Sequence, residues 1–210
     1  MLKRLLSSIL ALSFIFTLSL SSFASGSSPS AKEIVEKGEL VESEILSTDK
    51  GAYKKMVYSY TEKLPSTRTT EQEYEKTVSV FMVPLLEGDP FVKDITDYDS
   101  VNLKIRWVTR PYADGLPQYE GYKLTRIIVT TYNSDVDLDY VRAINVGMGS
   151  SSNPKDFDLS GYSTPSTITK YPSFTNYVPE GGDCRVGAQL HYYYNGSAET
   201  LSISVFNNII

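Results

Sequence analysis

Val186-Gly187-Ala188-Gln189-Leu190-His191-Tyr192-Tyr193-Tyr194-Asn195-Gly196-Ser197-Ala198-Glu199-Thr200-Leu201-Ser202-Ile203-Ser204-Val205 reads as two strands folded back on one turn. Asn195-Gly196 is the strongest short-range hairpin signal, because a two-residue type I′ turn needs positive φ at both positions. With that pair as the turn, Tyr194 faces Ser197. Leu190 then meets Leu201, Ala188 meets Ile203 and Val186 meets Val205, all on one face. His191 meets Thr200 and Gln189 meets Ser202 on the other. A slip of one residue would destroy this sorting, so the apolar face fixes which side is buried.

Working back along the chain, the same period of two recurs. Val101, Leu103, Ile105 and Trp107 alternate with Asn102, Lys104 and Arg106, which makes the lone Trp a core residue. In Tyr122–Tyr132 the phase slips, with Tyr122 and Leu124 on one parity and Ile127 and Val129 on the other; a β-bulge near Arg126 reconciles them. Val136, Leu138, Tyr140, Ile144, Val146 and Met148 keep one phase, interrupted only by Arg142. Val78, Val80 and Met82 are in phase within the run 69–83. Met56, Tyr58 and Tyr60 share one face of 52–64, with Val57 and Ser59 on the other, and Thr48-Asp49-Lys50-Gly51 turns the chain into that run from Val41, Ser43 and Ile45. Residues 155–180 carry short strand candidates at 166–171 and 174–178, with Pro165, Pro172 and Pro179 suited to edges and turns. Helical periodicity is confined to a capping box, Ser30-Ala31-Lys32-Glu33, with Ile34 and Val35 following and Gly38 as the stop. Antiparallel strands without a crossover helix imply an all-β fold, an antiparallel sandwich of about eight to ten strands with a short N-terminal helix.

The first residues are of another kind. Lys3 and Arg4, an apolar run from Leu5 to Leu20, and Ser22-Phe23-Ala24 form the charged, apolar and small-residue regions of a secretory signal cleaved near Ala24. Residues 1–24 are thus a signal peptide, 25–38 a flexible N-terminal segment or short helix, and 39–210 a single β-sandwich domain. The expected product is secreted and extracellular. Cleavage removes two of the 20 basic residues and no acidic one, deepening the net charge of −5 by two. An acidic chain without a basic stripe argues against nucleic-acid partners and against a polybasic membrane surface.

The chemistry-bearing side chains are few: one His, one Cys and one Trp beside 16 Tyr. The hairpin puts His191 on the polar face, with no G-x-S-x-G elbow and no second His, so a Ser-His-Asp arrangement lacks support. Cys184 shares parity with Val186 and Ala188 and reads as a small buried apolar residue. No cofactor is implied beyond calcium, for which Asp94, Asp97 and Asp99 supply hard oxygen ligands without the Gly-containing EF-hand order. Asp135, Asp137 and Asp139 form a second acidic ladder. The identical spacing of Glu71, Glu73 and Glu75 shows how the wet face of a strand produces such ladders.

Tyr suits a half-wet pleated surface, which accounts for most of the sixteen. The residues with a separate claim lie in or beside the turn-rich connection 110–121: Arg110, Tyr112, Tyr119 and Tyr122, because loops on a rigid scaffold carry recognition. Tyr171-Pro172-Ser173-Phe174-Thr175-Asn176-Tyr177-Val178-Pro179, then Arg185-Val186-Gly187-Ala188 and the terminal hairpin, resemble the ends of uncharacterised secreted β-rich proteins of Gram-positive bacteria. Ala198-Glu199-Thr200 departs from them, where an aromatic is expected in the returning strand. The resemblance implies export and β structure, and no activity. The leading expectation is a non-enzymatic extracellular binding protein for a glycan, a cell-wall polymer or a protein. Its alternatives are a membrane-active β toxin or assembly subunit, and a secreted glycan hydrolase using paired carboxylates.

Overall fold

Five long strands follow one another, each pairing antiparallel with the one before it: β1 (Glu39–Thr48), β2 (Gly51–Lys63), β3 (Gln72–Pro84), β4 (Asp99–Pro111) and β5 (Glu120–Thr131). This computed structural model describes residues 30–65, 70–85, 98–111, 120–147, 150–181 and 184–207. Residues 1–24, read from the sequence as a signal peptide, lie outside them. After β5 the chain crosses to a second sheet through β6 (Val136–Gly147), with β7 (Ser150–Ser151) and β8 (Lys155–Asp158) along its edge. It then returns: β9 (Ser166–Lys170) and β10 (Val178–Pro179) both pair with the outer edge of β5. Finally β11 (Arg185–Tyr194) and β12 (Leu201–Phe206) complete the second sheet in the order β12-β11-β6. The result is the all-β, two-sheet architecture read from the alternation, with eight of these strands at least six residues long.

The terminal hairpin keeps its faces but not its partners. Asn195 and Gly196 do adopt positive φ, 51° and 65°, and the Ser197 N–H donates to the Tyr194 carbonyl. Ser197 Oγ then accepts the Glu199 N–H at 3.1 Å, so the chain turns again and Ala198–Thr200 loop out. The ladder resumes with Leu201 opposite Tyr192, Ile203 opposite Leu190 and Val205 opposite Ala188, two residues away from the simple hairpin register. A two-residue shift preserves side-chain parity, so Ala188, Leu190, Ile203 and Val205 still face the core. Gly187 is required here: a Cβ would strike the Val205 carbonyl and Phe206 of the neighbouring strand.

In β5 the bulge lies where the phase break put it. Arg126 pairs with Arg106 and Leu124 with Trp107, so Thr125 is the extra residue, and its hydroxyl donates to the Arg106 carbonyl. Tyr122, Leu124, Ile127 and Val129 thereby all reach the core. A second bulge in β6 overturns the single phase read there. Tyr140 pairs with His191 and Leu138 with Tyr192, leaving Asp139 extra. Beyond it the core row is Val141, Ala143 and Asn145, while Tyr140, Ile144 and Val146 turn to the outer face, where each stays partly covered. The short strand expected over 174–178 is likewise irregular, and only Val178 and Pro179 join the sheet.

The core lies between the sheets. Leu103, Ile105, Leu124, Ile127 and Leu190 are fully enclosed, and burial of each contributes about 1.5–3 kcal/mol. Trp107, 5 % exposed, packs in the same core and is stacked on Tyr74 at 5.5 Å. The other face of the larger sheet is far from wet. Glu75, read as part of an exposed ladder, is 5 % exposed and ion-paired with Lys104 at 2.7 Å and with Arg106. Helix α1 (Ala31–Lys37) packs against β2; Ser30 caps it as its sequence foretold, and Lys37 bridges Glu33 and Glu62.

Candidate functional site

Of the residues singled out in or beside the 110–121 connection, Arg110 and Tyr122 are described, and they face opposite sides of the sheet. Tyr112 and Tyr119 lie outside the described residues. Tyr122 is buried in the core, where its hydroxyl donates to the Glu120 carboxylate at 3.0 Å; burial, reinforced by that carboxylate, pushes its pKa up. Arg110 projects from the opposite face of the sheet, with its guanidinium 3.8 Å from the Tyr177 ring centroid. Lys123 approaches the same ring at 4.4 Å, and the Tyr177 hydroxyl donates to Glu71 at 2.7 Å. These contacts join the segment before β10 to the sheet, and Tyr177 itself is buried.

Of the calcium candidates, Asp94 and Asp97 lie outside the described residues, and Asp99 opens β4. Among the described residues no group of three or more His, Cys, Asp or Glu side chains is placed to hold a metal ion. His191 lies on the outer face of the smaller sheet, stacked on Tyr140 with 4.3 Å between ring centroids. Cys184 is half-buried rather than enclosed, and burial pushes its thiol up, away from the reactive thiolate.

A different region has the shape of a site. The sheets are unequal: β12, the last strand of the smaller one, lies over β3 and β4, so the inner faces of β2 and β1 extend past it. A groove of about 200 Å³ runs along this overhang, with Val57 and Val78 on one side, Ile203 and Ser204 on the other, and Lys55, Glu42 and Lys76 along it. The backbone of β12 forms one wall. Asn207 N–H donates to the Val186 carbonyl, so by strict alternation residues 201, 203 and 205 bond β11. The N–H and C=O groups of Ser202, Ser204 and Phe206 therefore point into the groove. Lys76 confirms the direction, since its ammonium donates to the Phe206 carbonyl at 3.1 Å.

The two lysines of the groove differ. Lys55, 8 % exposed, is held by Glu42 at 2.5 Å and Glu44 at 2.9 Å from β1. Burial alone would depress its pKa, but the two carboxylates outweigh that and raise it. Lys76 occupies the core-facing row of β3 with Val78, Val80 and Met82, and burial lowers its pKa. No carboxylate pairs with Lys76 among the described residues. On β1, meanwhile, Val41 is 58 % exposed at a bulge and Ile45 69 % exposed, while the acids face inward.

The groove escaped the sequence reading because it belongs to no single segment. Its one local signal was Lys76, the cation that interrupts the apolar phase of β3. Among the described residues, fold and groove together define a two-sheet antiparallel sandwich open along one side. Comparison with known proteins adds no relative: no family model, no curated protein and no solved structure matches the chain.

Proposed function

We propose that this is a secreted, non-enzymatic binding protein that captures an extended polypeptide segment by strand addition along β12. The observation that carries the reading is the outer edge of β12, unpaired among the described residues, beside the groove lined by β2 and β3. A strand laid there gains main-chain hydrogen bonds from Ser202, Ser204 and Phe206, and its alternate side chains contact the groove lining at Val57 and Val78. Ser202 to Phe206 spans about 13 Å, enough for a ligand strand of roughly five residues. Of the three ligand classes expected from sequence, a protein is favoured over a glycan or cell-wall polymer, because an edge of alternating donors and acceptors matches another backbone. The signal-like segment 1–24 supports an extracellular setting.

The test uses a capped seven-residue peptide of alternating threonine and valine, followed by amide hydrogen exchange. Ser202, Ser204 and Phe206 amides, open in the free protein, become protected on binding. Ser204→Pro removes one outward N–H at an edge position where proline is tolerated. It leaves the melting temperature close to that of the parent and weakens peptide binding at least tenfold. Protection confined to other strands, or undiminished binding by Ser204→Pro, would overturn the assignment.

A further inference from the structure

From the unequal treatment of Lys55 and Lys76 we infer that the captured segment is acidic, presenting an aspartate or glutamate side chain inward beside Phe206, where Lys76 pairs with it. The inference rests on strand capture at β12 and adds what the captured strand must carry. Both lysines reach into the same groove from core-facing positions. Lys55 is answered by two carboxylates of this chain, whereas among the described residues Lys76 has only the Phe206 carbonyl. That carbonyl is one of the edge acceptors a new strand takes up, so capture competes for the sole partner of a half-buried ammonium. Leaving such a cation without an acceptor is costly, and a carboxylate at the adjacent inward position compensates with a charge-assisted hydrogen bond.

The groove is also polar along its length. Glu42 and Glu44 outnumber Lys55 at one end, and Lys76 stands alone at the other. An occupant with its acid at the Phe206 end is complementary to this pattern, and one with its acid beside Glu42 is repelled. Between the ends, inward positions meet Val57 and Val78 and call for β-branched apolar side chains. The partner is thus an extended segment that alternates polar and apolar residues and carries a single inward acid.

Two capped peptides test this, Thr-Glu-Thr-Val-Thr-Val-Thr and the same peptide with Gln in place of Glu, written for an antiparallel strand on β12. The Glu peptide is expected to bind about tenfold tighter, and the difference to vanish in Lys76→Gln and persist in Lys76→Arg. Circular dichroism checks that each variant keeps the parent β spectrum. Equal binding of both peptides with protection at Ser202, Ser204 and Phe206 would overturn the acidic partner and leave strand capture standing. Failure of both peptides to protect those amides would overturn strand capture and this inference with it. Binding of a polyglucuronate hexasaccharide instead, lost in Lys76→Gln, would overturn the choice of a polypeptide.

Discussion

Two fully enclosed polar side chains, one on each side of this sandwich, are treated in opposite ways. On the side closed by β7 to β10, Asn145 is fully enclosed between the sheets, yet its side chain is well bonded. Its Oδ1 accepts the Leu124 N–H at 3.2 Å, next to the Thr125 bulge, and its Nδ2 donates to the Asn176 carbonyl at 3.1 Å. One amide thus pins β6 to β5 and to the strap that seals the edge. On the other side Tyr192, also fully enclosed, has a hydroxyl with no hydrogen-bond partner among the described residues. It lies near enough to Glu42 and Glu44 for their charges, after burial, to help push its pKa up. Lys76 and the edge of β12 add to the same deficit. Among the described residues the closed side has one unpartnered hydroxyl of its own, Ser166 Oγ of β9, but Tyr192, Lys76 and the β12 edge all lie beside the groove.

The strongest way to break this contrast is Asn145→Ala. It leaves the Leu124 N–H buried without its acceptor and takes a donor from the Asn176 carbonyl, so urea denaturation should show a loss of about 3 kcal/mol. A loss below about 1 kcal/mol would mean that the clamp does not hold the closed side. Tyr192→Phe should act in the opposite direction. Removing an unbonded buried hydroxyl while keeping the ring gains about 1 kcal/mol in the same assay. A destabilisation comparable to that of Asn145→Ala would show the hydroxyl to be bonded and the contrast to be false.

Much of the fold was legible because its signals are local. Asn195-Gly196 needs only its own φ angles, and the reversal between Leu124 and Ile127 can be satisfied only by an extra residue. The bulge at Asp139 was hidden because apolar residues occupy both parities of β6, with Tyr140, Ile144 and Val146 partly covered on the outer face. The register of the terminal hairpin depended on a serine turn after the glycine, which the alternating pattern does not weigh. Charge misled most. Glu71, Glu73 and Glu75 read as a wet ladder, but Glu75 is largely buried and ion-paired with Lys104 and Arg106 of the neighbouring strand. The groove was beyond reach altogether, since it follows from how many strands each sheet contains, a property of long-range pairing.

A smaller effect separates the two edges by their acid response. Asp156 of β8, on the closed side, is held below the usual aspartate range by its bidentate bond to Arg142, at 2.7 and 2.8 Å. Glu44 of β1, on the open side, is held below the usual glutamate range by the Lys55 ammonium. Both carboxyls are more acidic folded than unfolded. Their stabilisation is therefore complete above the unfolded values of 3.8 and 4.5 and is lost as pH falls through the lower folded ones. The pairs differ in exposure, since the Arg142 side chain is 40 % exposed and that of Lys55 only 10 %. Added salt screens an exposed pair more than a sheltered one. Carboxyl carbon titrations by NMR in low and high salt should show the Asp156 midpoint climbing toward 3.8 while that of Glu44 moves less. Equal movement would mean that the Lys55 end of the groove is as open to water as the surface of β8, and an anionic strand there would meet weaker repulsion from Glu42 and Glu44.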